Sequence, residues 1–169
     1  MEAEQYSRWF YTQLRVRYQE TDQMGVVYHA NYLNWFEIGR TELIRELGIE
    51  YIDIEKRGLL LPVTELTTKF RLPAKYDDQV TVCTRIAAYS SRKLHFQSEV
   101  RLYSDEERRA LASSPVTAAP EGKLLVSGET HHIWVNRDFR PVRMDKEAPE
   151  LYACLEQAVE RRASDVIEE

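Results

Sequence analysis

The sequence predicts an α+β fold in which one long helix is followed by a run of antiparallel strands. Residues 32–47 carry apolar side chains over about half of a helical circumference, which indicates a helix embraced by a sheet. Four later segments alternate with the period of two that strands show. These segments are Leu60 to Phe70, Gln79 to Tyr89, Lys93 to Tyr103 and Lys123 to Val135.

A shorter strand and a turn precede the long helix. Tyr11 to Tyr18 alternates as a strand does, and Asp22 to Gly25 has the composition of a turn. The helix is expected to extend to Leu47. Gly48 then suits the left-handed position after a helix end, and Ile49 suits the apolar contact that folds back on it.

Two features of the helix and sheet concern burial. Arg40 falls inside the apolar arc, so we expect it to pair with Glu37, one helical turn earlier. One helix is too small to cover a sheet of this length. We therefore expect a second subunit to cover the remainder.

The last third of the chain is less regular. Residues 104–122 are charged and then rich in Ser, Ala and Pro, which predicts a long hairpin loop with a single helical turn at Glu106 to Leu111. Residues 149–162 are expected to form a C-terminal helix, since Pro149 can open it. The sequence contains neither repeats nor a linker. Residues 1–169 are therefore interpreted as a single domain with its core at about 10–145.

Composition excludes several classes of partner. The net charge of -5 disfavours a nucleic acid or an anionic membrane as the main partner. No apolar run approaches the ~20 residues of a membrane span, and the polar start is no signal peptide, so we expect a cytoplasmic protein. Cys83 and Cys154 are expected to stay reduced, and neither has the flanking sequence of a catalytic cysteine.

The most informative stretch is Tyr18 to Tyr32. It puts an acidic residue at the end of a strand, then a glycine turn, then the start of a helix. A carboxylate there can face a helix N-terminus whose free N–H groups can hold a developing negative charge. This geometry suits an ester or thioester hydrolase.

This order of elements, with the pattern Thr-Asp-x-x-Gly-x-Val-Tyr-His-x-x-Tyr at residues 21–32, resembles the hotdog-fold thioesterases of the 4-hydroxybenzoyl-CoA thioesterase family. The turn Pro73 to Asp78 is also similar to that family. The resemblance implies a long helix wrapped by an antiparallel sheet of about five to six strands. It also implies a homodimer or homotetramer with active sites at the dimer interface, and no metal or organic cofactor.

The resemblance assigns roles to individual residues. Asp22 would be the catalytic carboxylate, acting either as a nucleophile or as a general base, and the backbone amide of His29 would be the oxyanion donor. Gly25 would permit a tight turn or the close approach of a ligand, and Tyr28 and Tyr32 would contact the substrate. The His29 side chain would orient water or substrate, assist Asp22, or make a structural hydrogen bond. Without the motif, Asp22 would be interpreted as a residue that caps the following helix or turn.

The sequence gives weaker support for other residues of the site. The resemblance implies that Arg92 and Lys93 contact the phosphates of coenzyme A, whereas a surface hairpin can carry such a pair without any ligand. Asn31 and Thr64 are possible polar groups of the pocket. No metal site is expected, because the histidines lack ligand spacing and His131 and His132 point to opposite faces. His131 and His132 are adjacent in the sequence.

The activity expected from the resemblance is hydrolysis of an acyl-CoA thioester to a carboxylic acid and free coenzyme A. Three alternatives stay open. The substrate can be an acyl carrier protein thioester, the reaction can be hydration of an enoyl thioester, or the protein can bind acyl-CoA without catalysis. Release of free thiol distinguishes hydrolysis from the last two.

Overall fold

The computed structural model describes residues 8–113 and 119–165. Five strands form one antiparallel sheet in the order β1-β3-β4-β5-β2, so β1 and β2 are its edges. The predicted α+β class and the predicted sheet are therefore confirmed. The strands are β1 Phe10–Arg15, β2 Val63–Phe70, β3 Gln79–Tyr89, β4 Lys93–Leu102 and β5 Lys123–Ile133. The helices are α1 His29–Glu46, α2 Tyr51–Lys56, α3 Asp105–Ser113, α4 Met144–Glu147 and α5 Pro149–Asp165.

Helix α1 packs on one face of the sheet and approaches it closely at two glycines. A Cβ atom at Gly39 would lie 2.3 Å from Thr84 Oγ1 on β3, and one at Gly128 on β5 would lie 2.4 Å from Phe36 Cε2. Only glycine allows this helix–sheet distance, because any side chain would overlap its neighbour. The buried residues of α1 are Tyr32, Trp35, Phe36, Gly39, Leu43 and Ile44.

The end of α1 is the one predicted from the sequence. Gly48 has a φ of +81°, the left-handed conformation that glycine adopts without strain. The Ile49 amide donates to the Ile44 carbonyl at 3.2 Å, and the Ile49 side chain is buried in the core. This reversal directs the chain back across the sheet.

The largest errors in the predicted strand boundaries, three residues each, are at the end of β1 and the start of β2. β1 ends at Arg15, because Tyr18–Glu20 forms a turn of 3₁₀ helix that leads into the Asp22 segment. β2 begins at Val63 instead of Leu60, since Pro62 has no N–H to contribute to a ladder. Leu60 makes only an isolated bridge to Val135.

The predicted loop at 104–122 contains a helix of nine residues, α3. Ser104 and Glu107 form a reciprocal capping box: the Ser104 amide donates to Glu107 Oε2 at 2.6 Å, and the Glu107 amide donates to Ser104 Oγ at 3.2 Å. This Ser-x-x-Glu signal was present in the sequence and was missed. Part of the predicted loop, 114–118, lies outside the described residues.

The expected Glu37–Arg40 ion pair does not form among the described residues, although both belong to them. Arg40 lies instead near Tyr51 and His132, where its charge acts on both groups. Burial raises the pKa of Tyr51, and the Arg40 guanidinium only partly opposes this effect. The half-buried charge of Arg40 thus interacts with groups from other elements.

Candidate active site

The segment between β1 and α1 is a tight turn built around Asp22. The Asp22 amide donates to the Val26 carbonyl at 2.9 Å, and the Gly25 amide donates to the Asp22 carbonyl at 3.0 Å. Gly25 has a φ of +75°. As predicted, glycine supplies the left-handed residue that the turn requires.

The turn also fixes the orientation of the Asp22 carboxylate. Its Oδ1 accepts a hydrogen bond from the Met24 amide at 2.8 Å, as in an Asx-turn. Its Oδ2 accepts none from the described residues, and the side chain is half-buried. Asp22 therefore caps the turn with one oxygen, and its other oxygen is not engaged by the described residues.

Glu20, two residues before Asp22, anchors the segment and was not singled out from the sequence. The residue is 7% exposed. Its carboxylate accepts hydrogen bonds from the Arg17 amide at 2.8 Å, Arg17 Nη2 at 3.1 Å and Trp35 Nε1 at 3.0 Å. Burial favours the neutral acid, but these donors outweigh it and hold the pKa of Glu20 below its usual value. An ionised carboxylate thus joins the turn to α1.

The main chain of Glu20 fixes the start of α1. Its carbonyl accepts from the Tyr28 amide at 2.9 Å and from Asn31 Nδ2 at 2.8 Å. Asn31, expected as a possible polar group of the pocket, is thereby engaged in holding the helix start. The first turn of α1 is tied to the segment that carries Asp22.

The N-terminus of α1 offers a free hydrogen-bond donor. The helix begins at His29, and Tyr28 at the cap position contributes no side-chain cap. The His29 N–H has no hydrogen-bond partner within the part of the chain that the structure describes. The amides at a helix start point outward and carry the positive end of the macrodipole. A developing negative charge is stabilised at such a position.

The His29 ring lies between two aromatic side chains. Its centroid is 4.4 Å from that of Tyr28 and 6.3 Å from that of Phe70, in tilted and edge contacts respectively. Tyr28 and Phe70 are both substantially exposed. The ring is therefore presented to a ligand from an apolar surrounding.

The Pro73–Asp78 turn, which carried the second part of the family resemblance, contacts the first motif through Ala74. The Val27 amide donates to the Ala74 carbonyl at 2.9 Å. The Ala74 amide donates to the Tyr32 hydroxyl at 3.0 Å, and both residues are buried. Burial raises the pKa of Tyr32, so the hydroxyl keeps its proton at neutral pH.

These segments enclose a cavity of about 250 Å³, the Asp22 cavity. Three of the predicted site residues line it: Asp22, His29 and Tyr32. Gly25 and Tyr28 are not among its lining residues. The remaining lining residues are Met24, Val27, Phe70, Arg71, Leu72 and Pro73.

Arg71 is the cation that sequence analysis missed. It follows β2 directly, and its amide donates to the Leu125 carbonyl at 2.9 Å. Its side chain is exposed and forms no ion pair among the described residues. The residue is 49 positions from Asp22 in the sequence (71 − 22 = 49), so only the packing of the sheet could bring the two together.

Arg92 and Lys93 lie in the exposed turn between β3 and β4, where both amides donate to Ser90 Oγ. This turn is at the end of β3 remote from Asp22. Because β3 has 11 residues, the two ends are separated by roughly 35 Å at the rise of a strand. Thr64, the other predicted pocket group, donates to the His131 carbonyl at 3.1 Å and does not line the Asp22 cavity.

Neither cysteine has the surroundings of a nucleophile. Both thiols are free. Burial raises the pKa of Cys83 to about 12, so the reactive thiolate is suppressed at neutral pH. Cys83 packs under Trp9 and Tyr103 on the face of the sheet away from α1.

The histidines of the sheet occupy both faces, as predicted for His131 and His132. His132 faces α1, and its ring nitrogens lie 3.2 Å from the Leu61 carbonyl and 2.9 Å from Thr130 Oγ1. The expectation that the other histidines lack ligand spacing was wrong. His95 on β4 and His131 on β5 are register partners, with Glu129 beside them.

The comparison with protein families shows to which family the chain belongs. Residues 16–155 match the model of the thioesterase-like superfamily, well over half of the chain. The chain belongs to this superfamily. The resemblance inferred from the sequence is confirmed, and so are the hotdog fold and the enzyme class, a thioester hydrolase.

Individual relatives agree with this membership. The chain is 36% identical over 147 residues to YneP of Bacillus subtilis, a candidate acyl-CoA thioesterase, covering 86% of this chain and 94% of YneP. It is 34% identical over 112 residues to the acyl-CoA thioesterase YbgC of Haemophilus influenzae, covering 66% and 81% of the two chains. Among the described helices, none has the length and apolar character needed to span a membrane.

A solved structure shows the same architecture. The DHNA-CoA thioesterase from Staphylococcus aureus superposes with a TM-score of 0.77 at 32% identity. The match covers 92% of this chain and 95% of that enzyme. The likeness therefore extends over most of both chains.

Proposed function

We propose that the chain hydrolyses acyl-CoA thioesters to a carboxylic acid and free coenzyme A. The observation that carries this proposal is the Asp22 cavity, which combines a carboxylate oxygen with the amide at the start of α1, both without a hydrogen-bond partner among the described residues. A thioester carbonyl requires an oxygen nucleophile on one side and a donor for the oxyanion on the other.

The reaction consumes one water for each thioester. Two routes use Asp22: its carboxylate attacks the acyl carbon to give a mixed anhydride that water then hydrolyses, or it removes a proton from an attacking water. In both routes the His29 N–H would stabilise the oxyanion, a contribution of about 3–4 kcal/mol for one such donor. The thiolate of coenzyme A leaves and is protonated.

The surroundings of the cavity suit an acyl group. Exposed apolar side chains surround Asp22, among them Met24, Phe70 and Leu72. A contiguous exposed apolar surface of this kind marks a ligand or an interface. Arg71 at the rim carries a charge that can meet a phosphate of coenzyme A.

The active enzyme would be a homodimer formed through β2. Within the described part of the chain this edge strand has no neighbour on its outer side, and Val63, Leu66 and Phe70 on it are 46%, 39% and 53% exposed. An edge of this kind is a template for pairing with another chain. A second copy pairing antiparallel would cover the surface that the single helix leaves open.

Such a dimer would give Arg92 and Lys93 a role in the partner's site. Antiparallel pairing would put the Val63 end of one β2 beside the Phe70 end of the other. Lys93 in β4 is two strands from β2, so it would lie three strand spacings, about 14 Å, from the partner's Phe70. Two basic residues at that position would contact the phosphates of the coenzyme A bound at the partner's Asp22.

The test is thiol release from a panel of aromatic, short-chain, medium-chain and long-chain acyl-CoA esters. We expect Asp22→Asn to lower kcat by about 10² or more, the scale of a lost catalytic group. Asp77→Asn is the matched control, because Asp77 is an exposed carboxylate in a nearby turn that pairs with Arg15. Release of thiol by Asp22→Asn at the wild-type rate would remove Asp22 from the mechanism.

The same assay separates the other readings. Hydrolysis of acyl carrier protein thioesters without hydrolysis of CoA esters would change the substrate class. Loss of enoyl absorbance without thiol release would indicate a hydratase, and binding without turnover would indicate a sensor.

A separate assay tests whether Arg71 contacts a phosphate of coenzyme A. Arg71→Met should raise KM for acyl-CoA and leave KM unchanged for an acyl-N-acetylcysteamine ester, which has no phosphate. An equal effect on both substrates would assign Arg71 to the architecture of the cavity instead of phosphate recognition.

A further inference from the structure

The face of the sheet away from α1, the outer face, carries a cluster of three metal-ligating side chains. His95 on β4 and His131 on β5 are direct cross-strand partners, and Glu129 precedes His131 by two residues on the same face. The ligand atoms of the three side chains all lie within 4.8 Å of one another. The two imidazole rings stack at 3.9 Å, with an angle of 18° between their planes.

One ligand atom in the cluster has no hydrogen bond. His95 Nε2 is buried and has no hydrogen-bond partner among the described residues. Glu129 Oε2 lies 3.4 Å from this nitrogen, an ion-pair distance, in a geometry that does not make a hydrogen bond. Buried polar atoms are nearly always paired, so an unpaired ring nitrogen beside a carboxylate requires an explanation. A cation between the two would supply it.

The carboxylate of Glu129 is held in place by a chain of contacts. Glu129 Oε1 accepts from Gln97 Nε2 at 3.1 Å, and Gln97 Oε1 accepts from Arg85 Nε at 2.8 Å. The Arg85 guanidinium in turn lies 4.6 Å from the centroid of the Trp9 ring. Groups that orient a ligand in this way are typical of metal sites, where they fix the geometry of the coordinating oxygen.

We propose that His95, Glu129 and His131 bind a first-row divalent transition metal ion of the Zn²⁺ class. Two imidazoles and one carboxylate are the donor set that this class of ion prefers over Mg²⁺ or Ca²⁺. The three ligand atoms, which lie within 4.8 Å of one another, would have to move closer to reach the bond lengths of about 2.0–2.2 Å that Zn²⁺ requires.

A further acidic residue lies beside the cluster. Glu65 on β2 is the register partner of His131 and adds a second carboxylate beside the cluster. The cluster is open to entry, since the side chains of His95 and Glu129 are 21% and 43% exposed. It lies on the face opposite α1, so its occupancy does not depend on the Asp22 cavity or on the function proposed for it.

The test is metal binding by protein first stripped with a chelator. Titration with Co²⁺ should produce visible d–d absorption that saturates at one ion per chain, and calorimetry should show Zn²⁺ binding at the same stoichiometry. His95→Ala and His131→Ala should each abolish the Co²⁺ spectrum. Gln97→Ala should weaken binding about 10-fold to 100-fold through the loss of the group that orients Glu129.

Two control variants locate the site. His29→Ala should leave the Co²⁺ spectrum unchanged. His29 lies near the Asp22 carboxylate at the Asp22 cavity, so this variant tests whether the ion binds there instead of at the cluster. Glu99→Gln, on the same face of β4, should also leave it unchanged. Melting temperatures separate loss of binding from loss of folding. Wild type and His131→Ala should melt at the same temperature without metal, and Zn²⁺ should raise the melting temperature of wild type only.

The proposal is overturned by either of two results. One is the absence of any Co²⁺ or Zn²⁺ binding tighter than about 1 mM, equivalent to about 4 kcal/mol of binding free energy. The other is binding that persists unchanged in the His95→Ala/His131→Ala double variant, which would place the ion elsewhere. Neither result bears on thiol release, so the two proposals fail independently.

Discussion

The hydroxyl of Tyr32 accepts a hydrogen bond from the amide of Ala74 at 3.0 Å, inside the core. This bond joins α1 to the turn that precedes β3. The carbonyl of the same Ala74 holds the Val27 amide. One peptide segment thus fixes both the helix and the end of the Asp22 turn.

Tyr32→Phe removes the acceptor and leaves a buried N–H without a partner. We expect the free energy of unfolding to fall by about 1–3 kcal/mol, the cost of an unsatisfied buried donor. Urea denaturation measures it, with exposed Tyr76→Phe as the control that changes stability by less than about 0.5 kcal/mol. An equal effect of the two variants would mean that the Tyr32–Ala74 bond adds no stability.

Gly39→Ala should destabilise the protein even though alanine favours helices. The added Cβ would lie 2.3 Å from Thr84 Oγ1 and 2.9 Å from Val82 Cγ1. Overpacking of this kind costs about 1–3 kcal/mol, more than the gain in helix propensity of about 1 kcal/mol.

Thr84→Ala provides the matched rescue for Gly39→Ala. Thr84 Oγ1 is buried and has no hydrogen-bond partner among the described residues, so its loss alone should cost little. In the double variant the new methyl group would occupy the vacated volume. A double-mutant cycle measures the coupling, and strict additivity of the two effects would contradict the steric explanation.

The buried His132 should make stability depend on pH. Burial, and secondarily the Arg40 charge, lower the pKa of His132 from 6.5 to about 4. The unfolded state therefore binds a proton at a higher pH than the folded state does. Stability is complete above pH 6.5 and falls as the pH drops toward 4, by about 3 kcal/mol in total.

Urea midpoints at several pH values between 7 and 4 measure this dependence in wild type and in His132→Gln. The variant should show a shallower loss, because glutamine does not titrate. The pKa of His95 is also lowered by burial and acts in the same direction, so the difference between the two proteins isolates His132. Identical slopes would show that His132 is not the group responsible.

Leu66→Lys should dissociate the proposed dimer, because a charge on an exposed edge strand opposes pairing. Light scattering would report a mass near the 19.9 kDa of one chain in place of twice that mass. Specific activity would fall with it. Gln13→Lys on the opposite edge, β1, should have no effect. A wild-type protein that is monomeric and fully active would overturn the proposed interface.

Sequence analysis recovered what short-range patterns determine. The bounds of β3 and the end of α1 at Gly48 follow from alternation and from a residue type, both local. Asp22, His29 and Tyr32 were predicted together because they belong to one short motif, and they line the same cavity. The spacing within this motif puts Asp22 on the turn before α1 and puts His29 and Tyr32 in the first turn of the helix.

The errors that concern the site came from long-range packing, whereas the capping box of α3 and the effect of Pro62 were local signals that were missed. Arg71 reaches the Asp22 cavity because β2 is the sheet edge that ends beside it, and nothing local shows this. The pairing of His95 with His131 depends on the register of β4 and β5, which alternation alone leaves undetermined. Arg40 is near Tyr51 because of how α2 folds back, and one helix considered in isolation suggests the neighbour Glu37 instead.

The hydrogen bonds that shape the Asp22 turn have consequences for how related enzymes diverge. The amides of Asp22, Met24, Gly25 and Val27 donate within the turn or to Ala74, and the side chains of Gln23, Met24 and Val26 take no part. Met24, which faces the acyl group in the proposed complex, can therefore change in size or polarity without displacing the carboxylate. Acyl preference can evolve at such positions while the reacting groups stay where the main chain holds them.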